Sequence, residues 1–232
     1  WPQIATLTAA GYRVITPDLR GFGESDSIDD QRSMDLFADD IICLLDYLGI
    51  VRAVVGGMSM GGYILLNLLE RYRDRVTAAC FIVTRSGADY ETGKKRRLNM
   101  ARDAMEKGSR VVADFFVNIL FAEGTARQMP KLAMEVYDLM IQSNARGLAG
   151  GLLAMRERKD YTSLLASFHV PSLVIGAEQD KALSAEHLQV LAAGLPQHKL
   201  CLIPEAGHLV NMEQPVAFNN CLVEFLAGLS LI

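Results

Sequence analysis

Ala53-Val54-Val55-Gly56-Gly57-Met58-Ser59-Met60-Gly61-Gly62-Tyr63-Ile64-Leu65 is the stretch that decides the fold. A short Val-rich run stops at a serine boxed by glycines, and apolar residues then return as Ile64, Leu65, Leu68 and Leu69 at helical spacing. This order predicts a buried strand, a sharp turn and a helix. Small residues at Gly57 and Gly61 let strand and helix approach closely, and the turn projects the Ser59 hydroxyl beyond the strand end. The five letters G-x-S-x-G alone arise by chance in about one chain in ten of this length. The strand-turn-helix setting is what makes Ser59 a candidate nucleophile and the Met60 backbone N–H a candidate oxyanion donor.

On either side of this stretch, strand-like and helix-like patterns alternate, which predicts an α/β protein with a mostly parallel central sheet and helices on both faces. Upstream, Trp1 to Ala10 reads as a helix ended by Gly11, Tyr12 to Pro17 as a strand, and Asp18 to Asp26 as a turn-rich loop. Ser33 is placed to cap a helix that reaches Leu48, with Gly49 past its end. Downstream, strands are expected at Val76–Val83, Pro171–Gly176 and Lys199–Ile203, with helices at Ser184–Ala193 and Pro215–Leu226. The strand rhythm fails from Ser86 to Tyr161, where a helical pattern carries Met100, Met105, Met129, Met134, Met140 and Met155. Residues 86–160 are therefore expected to form a helical cap inserted into a core of 1–85 and 161–232. Its unbranched thioethers suit either an adaptable roof over a pocket or simple helical core.

At 232 residues, 50% apolar and 22% charged, the chain suits one large α/β domain. A net charge of −4 offers no basic surface for nucleic acid. Lys94-Lys95-Arg96-Arg97 is the single dense basic run, and it reads as the solvated face of a helix start. Cys43, Cys80, Cys201 and Cys221 stand singly within apolar segments, so they read as buried small hydrophobes and not as a disulfide frame or a zinc site. With no run of 18 apolar residues and no signal peptide before the first element, a cytoplasmic protein without a membrane partner is expected. Oligomeric state is not readable from the sequence.

A serine hydroxyl is a weak nucleophile and needs a base within hydrogen-bond reach, itself oriented by a third group. Asp180 follows the strand that ends at Gly176, and His208 follows the last strand in Pro204-Glu205-Ala206-Gly207-His208. Of the four histidines, only His208 lies in a Gly-flanked loop after a strand; His169, His187 and His198 read as structural. Glu178 is a nearby alternative to Asp180 as the orienting carboxylate. Met58 and Leu209 flank these residues and are expected to line the substrate pocket. No H-E-x-x-H or G-x-G-x-x-G is present, so neither a metal nor a nucleotide cofactor is expected.

Pro17-Asp18-Leu19-Arg20-Gly21-Phe22-Gly23-Glu24-Ser25, the Ser59 turn, the Asp180 loop and Gly207-His208 with Asn211, Glu213 and Pro215 resemble the signatures of the α/β-hydrolase fold. The resemblance is to compact capped members that include 3-oxoadipate enol-lactonases, small carboxylesterases, cofactor-free peroxidases and carbon-carbon bond hydrolases. It implies a serine hydrolase that cleaves a small-molecule ester or lactone through a Ser59-His208-Asp180 triad. A serine at the turn argues against dehalogenase and epoxide hydrolase relatives, whose nucleophile is a carboxylate. Carbon-carbon hydrolysis or peroxidase chemistry on the same triad is the alternative, and a non-catalytic ligand-binding role is the alternative of another class. The resemblance also implies three strands ahead of the Trp1 helix and a loop donating a second oxyanion N–H. The chain is thus expected to be part of a longer protein, or to be completed by another polypeptide.

Overall fold

Four parallel strands, side by side in chain order, form the sheet of the computed structural model, which describes residues 2–26 and 33–229. They are β1 (Ala53–Met58), β2 (Val76–Ile82), β3 (Ser172–Ala177) and β4 (His198–Ile203). Parallel neighbours need crossover connections, and helices supply them: α3 (Met60–Arg71) joins β1 to β2, and α9 (Ala185–Gly194) joins β3 to β4. All carboxyl ends therefore share one edge. Side chains alternate across the strands, so Ala79, Phe81 and Val174 face α2 (Met34–Tyr47), α3 and α9. Ala78, Cys80, Leu173 and Ile175 face α1 (Pro2–Ala9) and α11 (Pro215–Ala227).

The helix of the Ser59 stretch is the best-buried helix, with Leu65, Leu66, Leu68 and Leu69 each at most 1% exposed. Burial of one such side chain is worth roughly 1.5–3 kcal/mol. The start of α2 is as the sequence implies: the Ser33 hydroxyl accepts from Leu36 N–H at 3.2 Å. Gly49 beyond its end takes φ +66°. The expected strand at Tyr12–Pro17 does not form. A strand exists by the ladder it joins, and residues 13–17 make no backbone hydrogen bond to any described residue. Trp1, where the first helix was expected to start, lies outside the described residues.

Between β2 and β3 lie α4 (Glu91–Lys107), α5 (Arg110–Phe116), α6 (Thr125–Gln128), α7 (Pro130–Gln142) and α8 (Ala145–Arg156). They carry a small core of their own around Ala101, Ala104, Val112, Ala149 and Leu152. Met100 and Met155 pack against it, whereas Met105, Met129 and Met134 are exposed. One face of α8 meets the sheet domain through glycines. A Cβ at Gly147 would fall 1.7 Å from the Gly21 carbonyl oxygen, and one at Gly151 would lie 3.4 Å from the Met60 sulfur.

A buried charge cluster pins these helices to the sheet. Asp89, its side chain 3% exposed, takes salt bridges from Arg85, Arg97 and Arg158. Arg158 also lies 4.2 Å from the Tyr63 ring centroid. The basic run is thus only partly a solvated face: Lys95 and Arg96 are exposed, whereas Arg97 turns inward. Its partner, eight residues earlier, is invisible to a reading of helix faces. Burial pushes the Asp89 carboxyl upward, but hydrogen bonds from Arg158 and Arg97 and their charges outweigh it and hold it at about 2, below its ordinary 3.8. A carboxylate depressed in the folded state stabilises above its unfolded pKa and loses that contribution as pH falls through the folded one. The cluster should contribute about 2 kcal/mol at neutral pH. Asp89→Asn should lose it and flatten the fall in stability between about pH 4 and pH 2, measured by urea unfolding across that range.

Three of the four cysteines depart from expectation, Cys80 alone being a buried free thiol as the sequence implies. Cys201 of β4 and Cys221 of α11 form a disulfide, with Cα atoms 6.7 Å apart. Their separation of 20 residues gives no spacing signal, and only the packing of α11 on β4 brings them together. Cys43 is exposed and Cys80 is buried, its thiol pushed up to about 12 by desolvation. A thiol reagent should therefore titrate Cys43 alone in the native protein, two thiols after unfolding without reductant, and all four after reduction. Closing a loop of this length stabilises by about 3 kcal/mol, so reduction should lower the melting temperature.

Candidate active site

Ser59 stands between the last residue of β1 and the first of α3, with φ 50° and ψ −109°. Three non-glycine residues take positive φ among the described residues: Ser59, Val83 and Glu205. Each follows the end of a different strand, β1, β2 and β4, at the shared carboxyl edge. Such conformations cost about 1–3 kcal/mol each and concentrate at functional sites. Two hydrogen bonds hold the Ser59 turn, from Ser59 N–H to the Ile82 carbonyl at 2.9 Å and from the Thr84 hydroxyl to the Ser59 carbonyl at 2.8 Å. Met60 is the first residue of α3, where a backbone N–H has no intrahelical acceptor.

Asp180 follows β3 and His208 follows β4, and the structure brings them together. His208 Nδ1 donates to Asp180 Oδ2 at 2.8 Å, with side chains 8% and 4% exposed. The other Asp180 oxygen accepts from the Ala182 and Leu183 N–H groups at 2.8 and 2.9 Å, which fixes the carboxylate. Glu178, the competing carboxylate, is exposed. With Nδ1 engaged by Asp180, Nε2 is the ring nitrogen left to act as base. No hydrogen bond joins the Ser59 hydroxyl to His208 among the described residues; in unliganded sites such bonds are often long and tighten only around substrate.

The other histidines lie elsewhere. His187 is paired to Arg85 at 3.2 Å, and its pKa is lowered by burial and then by that guanidinium. His198 Nδ1 bonds the Leu195 carbonyl at 2.9 Å. His169 lines a cavity of about 420 Å³ with Arg52, Arg73, Asp74, Val76 and Val170. That cavity opens at the amino ends of β1, β2 and β3, the wrong end of the sheet for Ser59. Met58 is half-buried and packs against the core on the α11 face, and Leu209 is held by its N–H on the Leu120 carbonyl at 3.1 Å. No group of three or more His, Cys, Asp or Glu that could hold a metal occurs among the described residues, and no described helix is long and apolar enough to cross a membrane.

The family model of the alpha/beta hydrolase fold matches the chain over residues 1–215. The chain belongs to the alpha/beta hydrolase fold family. A thermophilic esterase from Thermogutta terrifontis superposes with a TM-score of 0.93 at 33% identity, over 97% of this chain and 84% of that one. The 3-oxoadipate enol-lactonase 2 of Acinetobacter baylyi is 28% identical over 226 residues, 96% of this chain and 81% of its own length. A 2-hydroxy-6-oxo-6-phenylhexa-2,4-dienoate hydrolase of Burkholderia cepacia is 28% identical over 243 residues, 97% of this chain and 81% of its own length. The protein is a hydrolase.

One residue of the resemblance around His208 shows its partners only in the structure. Glu213, at the end of α10 (Val210–Glu213), is 6% exposed. Its Oε1 accepts from Gly207 N–H at 2.9 Å, and its Oε2 accepts from Ala122 N–H at 2.8 Å and from the Thr125 hydroxyl at 2.7 Å. Residues 120–125 thereby join the His208 loop, and Glu123 N–H reaches the Gln179 side chain beside Asp180 at 3.0 Å. The available signal is a glutamate three residues after Val210, on the spacing of that short helix's buried side.

The glycines of the Ser59 turn are not equivalent in the hydrolase. A Cβ at Gly57 would lie 2.2 Å from the Gly61 carbonyl oxygen, and one at Gly62 2.3 Å from the Thr84 hydroxyl, whereas one at Gly61 meets nothing within 4 Å. Gly57→Ala and Gly62→Ala should each destabilise by about 1–3 kcal/mol. Gly61→Ala should be neutral or stabilising by up to about 1 kcal/mol from helix propensity, as read by denaturant unfolding.

Proposed function

We propose that this hydrolase cleaves a small carboxylic ester or lactone through an acyl-enzyme on Ser59. The buried Asp180–His208 hydrogen bond at 2.8 Å, at the sheet edge where Ser59 is held in a strained turn, carries the reading. Nε2 of His208 takes the Ser59 proton as Oγ attacks the carbonyl, then returns it to the leaving oxygen. Asp180 keeps the proton on Nδ1 and stabilises the imidazolium that forms. The Met60 N–H faces the developing oxyanion, and one such donor is worth about 2.7–4 kcal/mol. Water then attacks the acyl-enzyme with His208 again as base. Residues 86–160 act as the cap over this edge, with Met58 and Leu209 lining the substrate's path. The similarity to an esterase and to an enol-lactonase supports an acyl-transfer substrate.

A fluorophosphonate probe should label Ser59. Ser59→Ala should abolish labelling and lower turnover of short p-nitrophenyl esters by about 10⁶-fold. Undiminished turnover in that variant would refute the mechanism. Screening lactones, vinylogous diketones and peracid formation beside the esters separates ester cleavage from carbon-carbon hydrolysis and peroxidase chemistry.

A further inference from the structure

We infer that Glu213 is a positioning residue for His208, and that it couples the base to the cap segment Leu120–Thr125. This rests on the reading of His208 as the general base. The carboxylate makes no contact with His208 itself; it acts on the backbone on either side of the imidazole. Oε1 holds the N–H of Gly207, the residue immediately before His208, and the N–H of Leu209, the residue just after it, is held by the Leu120 carbonyl. The same cap strip is fixed from below by Oε2 through Ala122 N–H and the Thr125 hydroxyl. His208 thus sits between two backbone anchors, and both lead to residues 120–125.

The packing leaves little freedom for another arrangement. A Cβ at Gly207 would fall 2.3 Å from Ala122 N and 2.5 Å from the Phe121 carbonyl carbon, so the two strips lie in direct backbone contact. A buried carboxylate with only apolar neighbours would be costly. Here three donors converge on it, two from the cap strip and one from the His208 loop. An acceptor with two oxygens, each facing N–H or O–H donors, cannot be replaced by an amide without setting a donor against a donor. Displacement of the cap strip must then pass to the peptide before His208, and an error of about 1 Å in the base costs about 100-fold in rate.

The test measures kcat and KM per active site, titrated with the fluorophosphonate probe, below the melting temperature found by circular dichroism. Glu213→Gln should lower kcat by about 10- to 100-fold while KM stays within about twofold, because the substrate still binds but meets a misplaced base. A purely structural carboxylate would lower the melting temperature and leave kcat per titrated site unchanged, and that result overturns the inference. Should Glu213→Gln fail to fold, Thr125 decides. Thr125→Val removes one cap-side donor and should lower kcat by about two- to tenfold, and Thr125→Ser should restore it; equal kcat in these two variants overturns the inference. Labelling of wild-type Ser59 and its loss in Ser59→Ala test the underlying mechanism separately.

Discussion

Strands that run in one direction deliver all their following loops to one edge, but they also space those loops apart. Neighbouring strands lie about 4.8 Å apart, so the ends of β3 and β4 are roughly 10 and 14 Å from the end of β1. The proposed catalysis therefore requires the loops after β3 and β4 to reach back toward Ser59. Gln179 N–H bonds the Ala206 carbonyl at 2.9 Å, Glu205 turns through a positive φ, and Gly207 passes against Ala122.

Ser59, Val83 and Glu205 hold positive-φ conformations that non-glycine residues rarely adopt. Their cost is of the same order as the burial of two or three leucines of α3, the helix that begins at the turn itself. Strain and its compensation are therefore adjacent in the chain. The tight fit of Gly57 against Gly61 lets a helix this apolar sit close enough to the sheet to offset the turn.

What could be read from the sequence was local. The Val-rich run, the glycines and the returning leucines announce strand, turn and helix within a few residues, and Ser33 and Gly49 mark the limits of α2 for the same reason. The chain order of Ser59, Asp180 and His208 pointed to the edge where the structure gathers the loops. What escaped was decided by partners remote in the chain. Tyr12–Pro17 has the composition of a strand but no ladder to join among the described residues, Cys201 meets Cys221 only through helix docking, and Arg97 finds Asp89 across a helix start. Glu213 stood in the sequence as part of the resemblance around His208, but its three donors come from Gly207 and from the remote Ala122–Thr125 segment, and that pairing could not be read there.

The Cys201–Cys221 bond has a topological consequence. It closes a ring of chain that contains both His208 and Glu213. Should α11 fray from the sheet, the arc carrying the imidazole stays tethered to the edge strand at both ends. Its excursions are bounded by the ring's own circumference, and re-docking is a short search rather than a long one.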